Sequence, residues 1–458
     1  MIYKYMCEVI IMSRRPGQFV RCILLVLLFN CVAWWGFGGY TLIKILATAA
    51  LAVHFLVFLA VPQLKKRGER TTPQLTRLAN GACILGYGRL FIWLELLIII
   101  LLAVFGGLAV WRNIVNGLIA YLFIFLLNVS GIIRLAVSSK QVKIPLYIIL
   151  LFTWYIPVIN SLVLRKFYKT ARSEYRFEQA KFDLDDMHVE SQICKTKYPI
   201  LMVHGIFFRD WQIFNYWGRI PRELVKNGAM VFYGSQQSSN SIEQSARELS
   251  AQITHILEQT GSEKLNIIAH SKGGLDCRYA ISRLGMDKYV ASLTTINTPH
   301  RGCAWVDNVL EKAPEGLAEW LDNRYNKLFT RLGDRDPHFL IGVRELTAAS
   351  CAKFNAETPD MSNVRYNSVM SRMVTPLAAG FPLNIGYFLG KKYDKQGNDG
   401  LVGFTSGLYG SRTTVIPDTR KRGISHGDVI DLMRENIDGF DVREFYVNMV
   451  KELKEEGL

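Results

Sequence analysis

Ser271 ends the apolar run Leu265-Asn266-Ile267-Ile268-Ala269-His270 and is followed by Lys272-Gly273-Gly274. A Ser with small residues two places before and two after it, between a strand and a helix, fits a sharp turn. Such a turn strains the Ser backbone and lifts Oγ above the sheet, where it can attack an electrophilic carbon. Ala269 stands where the G-x-S-x-G form of this turn has its first Gly, and it keeps the side chain small. An ordinary turn before a helix has the same look, so the rest of the chain must supply the partners.

A Ser nucleophile needs a base to take its proton, a carboxylate to orient that base, and N–H donors for the developing oxyanion. In parallel sheets of this kind they follow in the order Ser, acid, His. After Ser271 the chain offers His300, His338 and His426. His426 lies near the C-terminus in Gly423-Ile424-Ser425-His426-Gly427-Asp428, a loop composition that could carry a base over the sheet edge. His300 lies in a Pro/Gly-rich segment and His338 in a charged one. For the acid, Asp399 sits in Asn398-Asp399-Gly400-Leu401-Val402-Gly403, 27 residues ahead of His426, with Asp394 and Asp418 as rivals. An Asp before Gly is otherwise a plain turn residue. The expected oxyanion donors are the backbone N–H groups of Lys272, at a helix N-terminus, and of Ile206, in the loop His204-Gly205-Ile206. The Lys272 side chain is expected to point outward, to solvent or substrate.

These groups need a sheet to hold them. Strand-like apolar runs occur at 198–203, 229–233, 265–268, 292–296 and 364–369. Between them, 241–260 carries Ile242, Ala246, Leu249, Ile253 and Leu257 at helical spacing, with Gly261 where a helix C-terminal Gly belongs. Strands alternating with helices imply a mostly parallel sheet covered on both faces.

The first third of the chain is different. Residues 1–164 hold 15 Lys and Arg against Glu8, Glu69 and Glu95, so +12 of the formal +15 lies there; the remainder has 39 basic and 36 acidic residues. The basic pI therefore does not indicate nucleic-acid binding, and no basic stripe interleaved with aromatics occurs in the C-terminal part. Apolar runs at 22–37, 45–61, 90–110, 114–137 and 144–164 read as about five transmembrane helices, each near the ~20 residues a bilayer requires. Gly36-Phe37-Gly38-Gly39 offers a turn between the first two. One side holds Lys4, Arg14, Arg15, Arg21, Lys65, Lys66, Arg67, Arg70, Arg77, Arg89, Lys140 and Lys143; the other holds Lys44 and Arg112, with Arg165, Lys166 and Lys169 after the last span, and an even span count would reverse the sides. The denser side should be cytoplasmic, which puts the C-terminal domain outside after five spans. The charged stretch 165–196 reads as a juxtamembrane linker. No C-x-x-C or zinc spacing occurs among Cys194, Cys277, Cys303 and Cys351, which read as buried thiols.

With these motifs assembled, 197–450 resembles the bacterial triacylglycerol lipases of the Pseudomonas–Burkholderia type. The segments are His204-Gly205-Ile206, Ala269–Gly274, Asn297-Thr298-Pro299-His300-Arg301-Gly302, Leu346–Asn355, Asn398–Val402 and His426-Gly427-Asp428. The resemblance implies an α/β-hydrolase fold with Ser271, Asp399 and His426 as nucleophile, acid and base, and a structural role for His300. It implies a lid over about 305–343, where Trp305, Val306, Val309, Leu310, Leu317, Trp320, Leu321, Leu328, Phe329 and Leu332 mix with charges. It also makes Asp428 a candidate ligand of a structural calcium, with no cofactor needed for catalysis. The membrane part is outside the resemblance.

The reading is an integral protein of the bacterial cytoplasmic membrane: 1–164 in the bilayer, 165–196 a linker, and 197–458 a lipase-like domain on the outer face, cleaving lipid esters. The same triad also supports acyl transfer to an alcohol and thioester cleavage. An inactive membrane scaffold is disfavoured by the intact Ser, Asp and His. A transporter, suggested by His54 and Glu95 within the apolar runs, is disfavoured by the lack of a repeat.

Overall fold

The computed structural model describes residues 16–36, 39–63, 71–106, 109–189, 192–206, 216–237, 239–312, 316–331, 337–419 and 422–458. The chain divides into two compact units, Met1–Asp185 and Asp186–Leu458.

In the first unit three helices are long and apolar enough to cross a membrane: α1 (Thr41–Ala60), α2 (Pro73–Phe105) and α3 (Val110–Ser138). Much of their apolar surface faces outward; Leu42, Leu56, Ile100, Phe105, Leu118 and Val137 are all exposed. Such a band would be a liability in water and suits hydrocarbon. α2 and α3 approach closely because glycines line the contact: a Cβ on Gly81 would lie 2.8 Å from Leu135, and one on Gly131 would lie 2.6 Å from Leu85. The first and last apolar runs are each interrupted. The first forms Pro16–Phe29 and Cys31–Trp35, parted at Asn30, whose amide donates to both carboxylate oxygens of the buried Glu95. The last forms Ile144–Thr153 and then α4 (Pro157–Val189), parted just before a Pro that cannot donate to the preceding turn. The charged stretch 165–196 is helical as far as Val189.

The second unit is built on a six-stranded, all-parallel sheet in the order β2-β1-β3-β4-β5-β6. The strands are β1 (Ile200–Val203), β2 (Val231–Tyr233), β3 (Leu265–His270), β4 (Val290–Ile296), β5 (Arg365–Met370) and β6 (Arg412–Val415). Helices cover both faces, and the central strands β1, β3 and β4 are buried throughout. The helix read at 241–260 is α5 (Ile242–Thr260). Ser241 Oγ accepts from the Gln244 N–H at its start, and Gly261 closes it at φ 67°. The chain leaves β1 to one side for β2 and returns on the other for β3. Ligands of open parallel sheets bind beside such a reversal, at the C-terminal strand ends.

Candidate active site

Ser271 follows β3 directly and precedes α6 (Lys272–Arg283), with φ 55° and ψ −132°. A non-Gly residue held at positive φ carries strain of about 1–3 kcal/mol, which persists only where the surroundings enforce it. Here the Ser271 N–H donates to Ile296 O at 2.9 Å, anchoring the turn to β4. Ala269 is fully buried. A Cβ on Gly273 would lie 2.4 Å from His204 O, and one on Gly274 would lie 2.3 Å from Thr298 Oγ1. The small residues are required because α6 starts against the loops after β1 and β4.

Asp399 and His426 meet above the same sheet end. Asp399 is fully buried; its Oδ1 accepts from the Leu401 and Val402 N–H groups at 2.8 and 2.7 Å, and its Oδ2 lies 2.6 Å from His426 Nδ1. Two backbone donors hold one carboxylate oxygen and the other faces Nδ1, which orients the imidazole with Nδ1–H toward Asp399. His426 stands beside the residue that precedes the nucleophile: the ring centroids of His426 and His270 are 4.4 Å apart. Among the described residues neither Ser271 Oγ nor His426 Nε2 has a hydrogen-bond partner. Catalytic hydrogen bonds are often loose without substrate.

The loop after β1 lies against the nucleophile: a Cβ on Gly205 would sit 2.8 Å from Ser271 Cβ. Gly205 N–H donates to Tyr216 Oη at 3.0 Å, and Tyr216 Oη is 2.6 Å from His270 Nδ1. Among the described residues the N–H groups of Ile206 and Lys272 have no acceptor. Burial above all, and then the nearby His426, hold His270 well below the usual histidine pKa of 6.5. Nothing in the sequence motif points to Tyr216; only the folded loop reveals that its hydroxyl ties Gly205 to His270.

Lys272 corrects an expectation. Its side chain does not point outward: it is 1% exposed, and Nζ bonds Asp276 Oδ1 at 2.7 Å and Ser245 Oγ at 3.2 Å. Asp276 lies one turn on along the same helix face, and α5 covers both. Burial outweighs the ammonium and pushes the Asp276 carboxyl up to about 7.

The rival residues have structural partners. His300 is buried, 2.9 Å from Thr295 Oγ1 and stacked on Tyr409 at 4.0 Å; burial and then Arg278 lower its pKa well below the ordinary value. Asp394 accepts from the N–H and hydroxyl of Thr405, and Asp418 pairs with Arg372. His338 stands at the start of the short helix Phe339–Arg344, where its carbonyl accepts from the Ile341 N–H at 3.1 Å. Cys194, Cys277, Cys303 and Cys351 are buried.

Asp428 does not fit a calcium site. Its Oδ2 accepts from the Ser425 N–H at 2.9 Å, and its Oδ1 faces Arg422 at 3.1 Å. The Arg422 guanidinium also reaches Glu435 Oε2 at 3.2 Å and the Ala378 carbonyl. A divalent cation between these carboxylates would meet a fixed positive charge. On its other side the loop is gripped by Arg219, whose N–H and guanidinium make three 2.8 Å bonds to the buried Asp431.

Of the expected lid, the structure describes helices Ala304–Lys312, Leu317–Arg331 and Phe339–Arg344. Leu332 and the side chains of Val309, Leu317, Leu321, Leu328 and Phe329 lie outside the described residues. Trp305 Nε1 donates to Leu401 O at 2.6 Å beside the Asp399 turn, and a Cβ on Gly342 would lie 3.2 Å from Ile206 Cδ1. Both ends of this helical segment therefore adjoin the site.

A parallel sheet with helices on both faces and a strained Ser after its third strand defines an α/β hydrolase, and residues 198–385 match the α/β hydrolase fold family. The chain is 34% identical to triacylglycerol lipases of Pseudarthrobacter phenanthrenivorans and Burkholderia plantarii, in each case across 36% of this chain and 54% and 49% of theirs. It thus spans about half the length of these bacterial relatives. Triacylglycerol lipase 2 of Saccharomyces cerevisiae is 30% identical over 53% of this chain and 74% of its own. Among solved structures, the mature Bacillus licheniformis lipase BlEst2 aligns at 22% identity and a TM-score of 0.40, over 52% of this chain and 88% of that one. The chain belongs to the triacylglycerol lipase family.

Proposed function

We propose that this chain is a membrane-anchored serine hydrolase that cleaves carboxylic esters of lipids. The observation that carries the reading is the strained Ser271 at the end of β3, beside the Asp399–His426 pair. Ser271 Oγ attacks the ester carbonyl while His426 Nε2 takes its proton, and Asp399 Oδ2 stabilises the imidazolium through Nδ1–H. The carbonyl oxygen, now an oxyanion, accepts from the N–H groups of Lys272 and Ile206. Collapse expels the alcohol, which leaves with the proton from His426. Water, deprotonated by the same imidazole, then attacks the acyl-enzyme and releases the fatty acid.

The 304–344 helices act as a lid over the acyl site. The first unit anchors the chain in the bacterial cytoplasmic membrane with five spans, the first and last of them broken, and the hydrolase domain lies on the outer face. Lys and Arg asymmetry in the loops supports that orientation.

The test is hydrolysis of carboxylic esters of graded chain length by the purified full chain in detergent, beside Ser271→Ala. Turnover that grows with acyl length and disappears in the variant supports the proposal. A variant that keeps wild-type turnover refutes it.

A further inference from the structure

A cluster of exposed apolar side chains borders the Asp399–His426 pair and has no role in the chemistry above. Leu377 is 91% exposed, Phe381 81%, Phe388 59% and Ile385 50%, within twelve residues of one another. Large apolar side chains this exposed are ordinarily scattered singly on a soluble surface; here they share one short segment. The helix Leu383–Lys391 explains the arrangement. Its inner face is spent on the protein: Tyr387 Oη donates to Val374 O, and Gly386 and Gly390 pack against Gly400 and Asn398. Ile385 and Phe388, three apart, therefore project from its outer face.

The helix that carries Ile385 and Phe388 packs against the site's supports on two sides, through Gly386 and Leu383. A Cβ on Gly386 would lie 1.9 Å from the carbonyl of Gly400, the residue after Asp399. Leu383 Cδ1 lies 3.9 Å from the Cβ position of Gly427, the residue after His426. The edge of the cluster is basic, with Lys391, Lys392 and Lys395 exposed, and the one acidic residue between Arg372 and Gly397 is the buried Asp394. Apolar side chains bordered by Lys match the two layers of a lipid leaflet, acyl chains beneath anionic head groups, at about 1 kcal/mol per Lys near such a surface.

We infer that Leu377, Phe381, Ile385 and Phe388 dock on an anionic lipid leaflet, with Lys391, Lys392 and Lys395 in its head-group layer. A lipid ester is then drawn from the leaflet to Ser271 along this edge of the site. The inference rests on the ester-hydrolase reading for its consequence, but the docking has its own readout.

The experiment uses the full chain reconstituted in phosphatidylcholine vesicles containing phosphatidylglycerol. An environment-sensitive dye is placed on Phe388→Cys and, as a control, on Lys451→Cys, and quenching by spin-labelled lipid is read. Quenching at least several-fold stronger at 388 is expected; equal quenching overturns the docking. In parallel, the double variant Phe381→Asp/Phe388→Asp should lose at least tenfold in turnover of a long-chain ester in the vesicles while keeping turnover of a water-soluble short-chain ester. Equal losses on both substrates overturn the proposal. So does a detergent-solubilised wild type that dimerises where the double variant is monomeric, since the cluster would then be a contact between two copies. Dye quenching at 388 with no ester turnover by wild type would retire the hydrolase reading alone.

Discussion

Asp399 and His426 are joined twice, by the 2.6 Å contact between Oδ2 and Nδ1 and by a 2.8 Å bond from the His426 N–H to the Asp399 carbonyl. The side-chain contact sets the imidazole tautomer, and the main-chain bond sets where the loop lies. A substitution can therefore remove one and keep the other.

Asp399→Asn keeps the backbone bond and the volume but offers His426 the wrong partner. Its kcat should fall on the order of 10⁴-fold, with the melting temperature almost unchanged. Steady-state kinetics beside a thermal melt checks this; a fall below tenfold would remove Asp399 from the mechanism.

The glycines of the Ser271 turn are fixed by approach rather than by helix propensity. Gly273→Ala places a Cβ 2.4 Å from a backbone carbonyl that cannot swing aside. A loss of about 1–3 kcal/mol or more is expected in denaturant unfolding, together with reduced turnover. A neutral result would mean that α6 can slide away from the β1 loop.

Tyr216→Phe deletes the hydroxyl shared by the Gly205 N–H and His270 Nδ1. Leaving two buried polar groups unpaired costs about 1–3 kcal/mol. Because that loop carries Ile206, kcat should fall with KM nearly unchanged. A raised KM with kcat unchanged would place Tyr216 in substrate binding instead.

The Arg422 guanidinium already occupies the space between Asp428 and Glu435. Chelators and added calcium should leave the melting temperature and turnover where they are, whereas Arg422→Gln should lower both and Arg422→Lys should restore part. A melt that rises with calcium would contradict the arginine clamp.

Acid should destabilise the second unit through its buried histidines. His270 and His300 both have pKa values held below 6.5, chiefly by burial. As pH falls through about 6.5 the unfolded chain takes up protons that the native state refuses, so stability drops from that point downward. Asp276, which burial holds up to about 7, takes its proton in the native state over the same range and offsets one of these, so tryptophan-fluorescence melts across pH should give a slope of roughly one proton. A flat profile would mean that these rings are protonated in place.

Much of this was legible because apolar patterning and small-residue spacing are local signals. Five of the six strands, the helix Ile242–Thr260 with its Ser241 and Gly261 ends, and the choice of Asp399 over Asp394 and Asp418 as the neighbour of His426 all followed from them. β6 escaped notice because an edge strand reading Arg-Thr-Thr-Val has no apolar face to display. Lys272 was misplaced because only the fold brings α5 over it, with Asp276 as its partner. The breaks at Asn30 and before Pro157 were hidden inside continuous hydropathy, to which a buried Asn–Glu contact and a lost backbone bond contribute nothing. Arg422 and Arg219 reach their carboxylates across loops, contacts to which no spacing rule applies.

The central claim is that Ser271 is an activated nucleophile. Membranes carrying the full chain should be treated with a fluorophosphonate probe, with the adduct mapped by mass spectrometry in wild type, Ser271→Ala and His426→Ala. A single adduct on Ser271, absent from both variants, is expected. Folded wild type that stays unlabelled even in detergent, or that labels equally without His426, would contradict it.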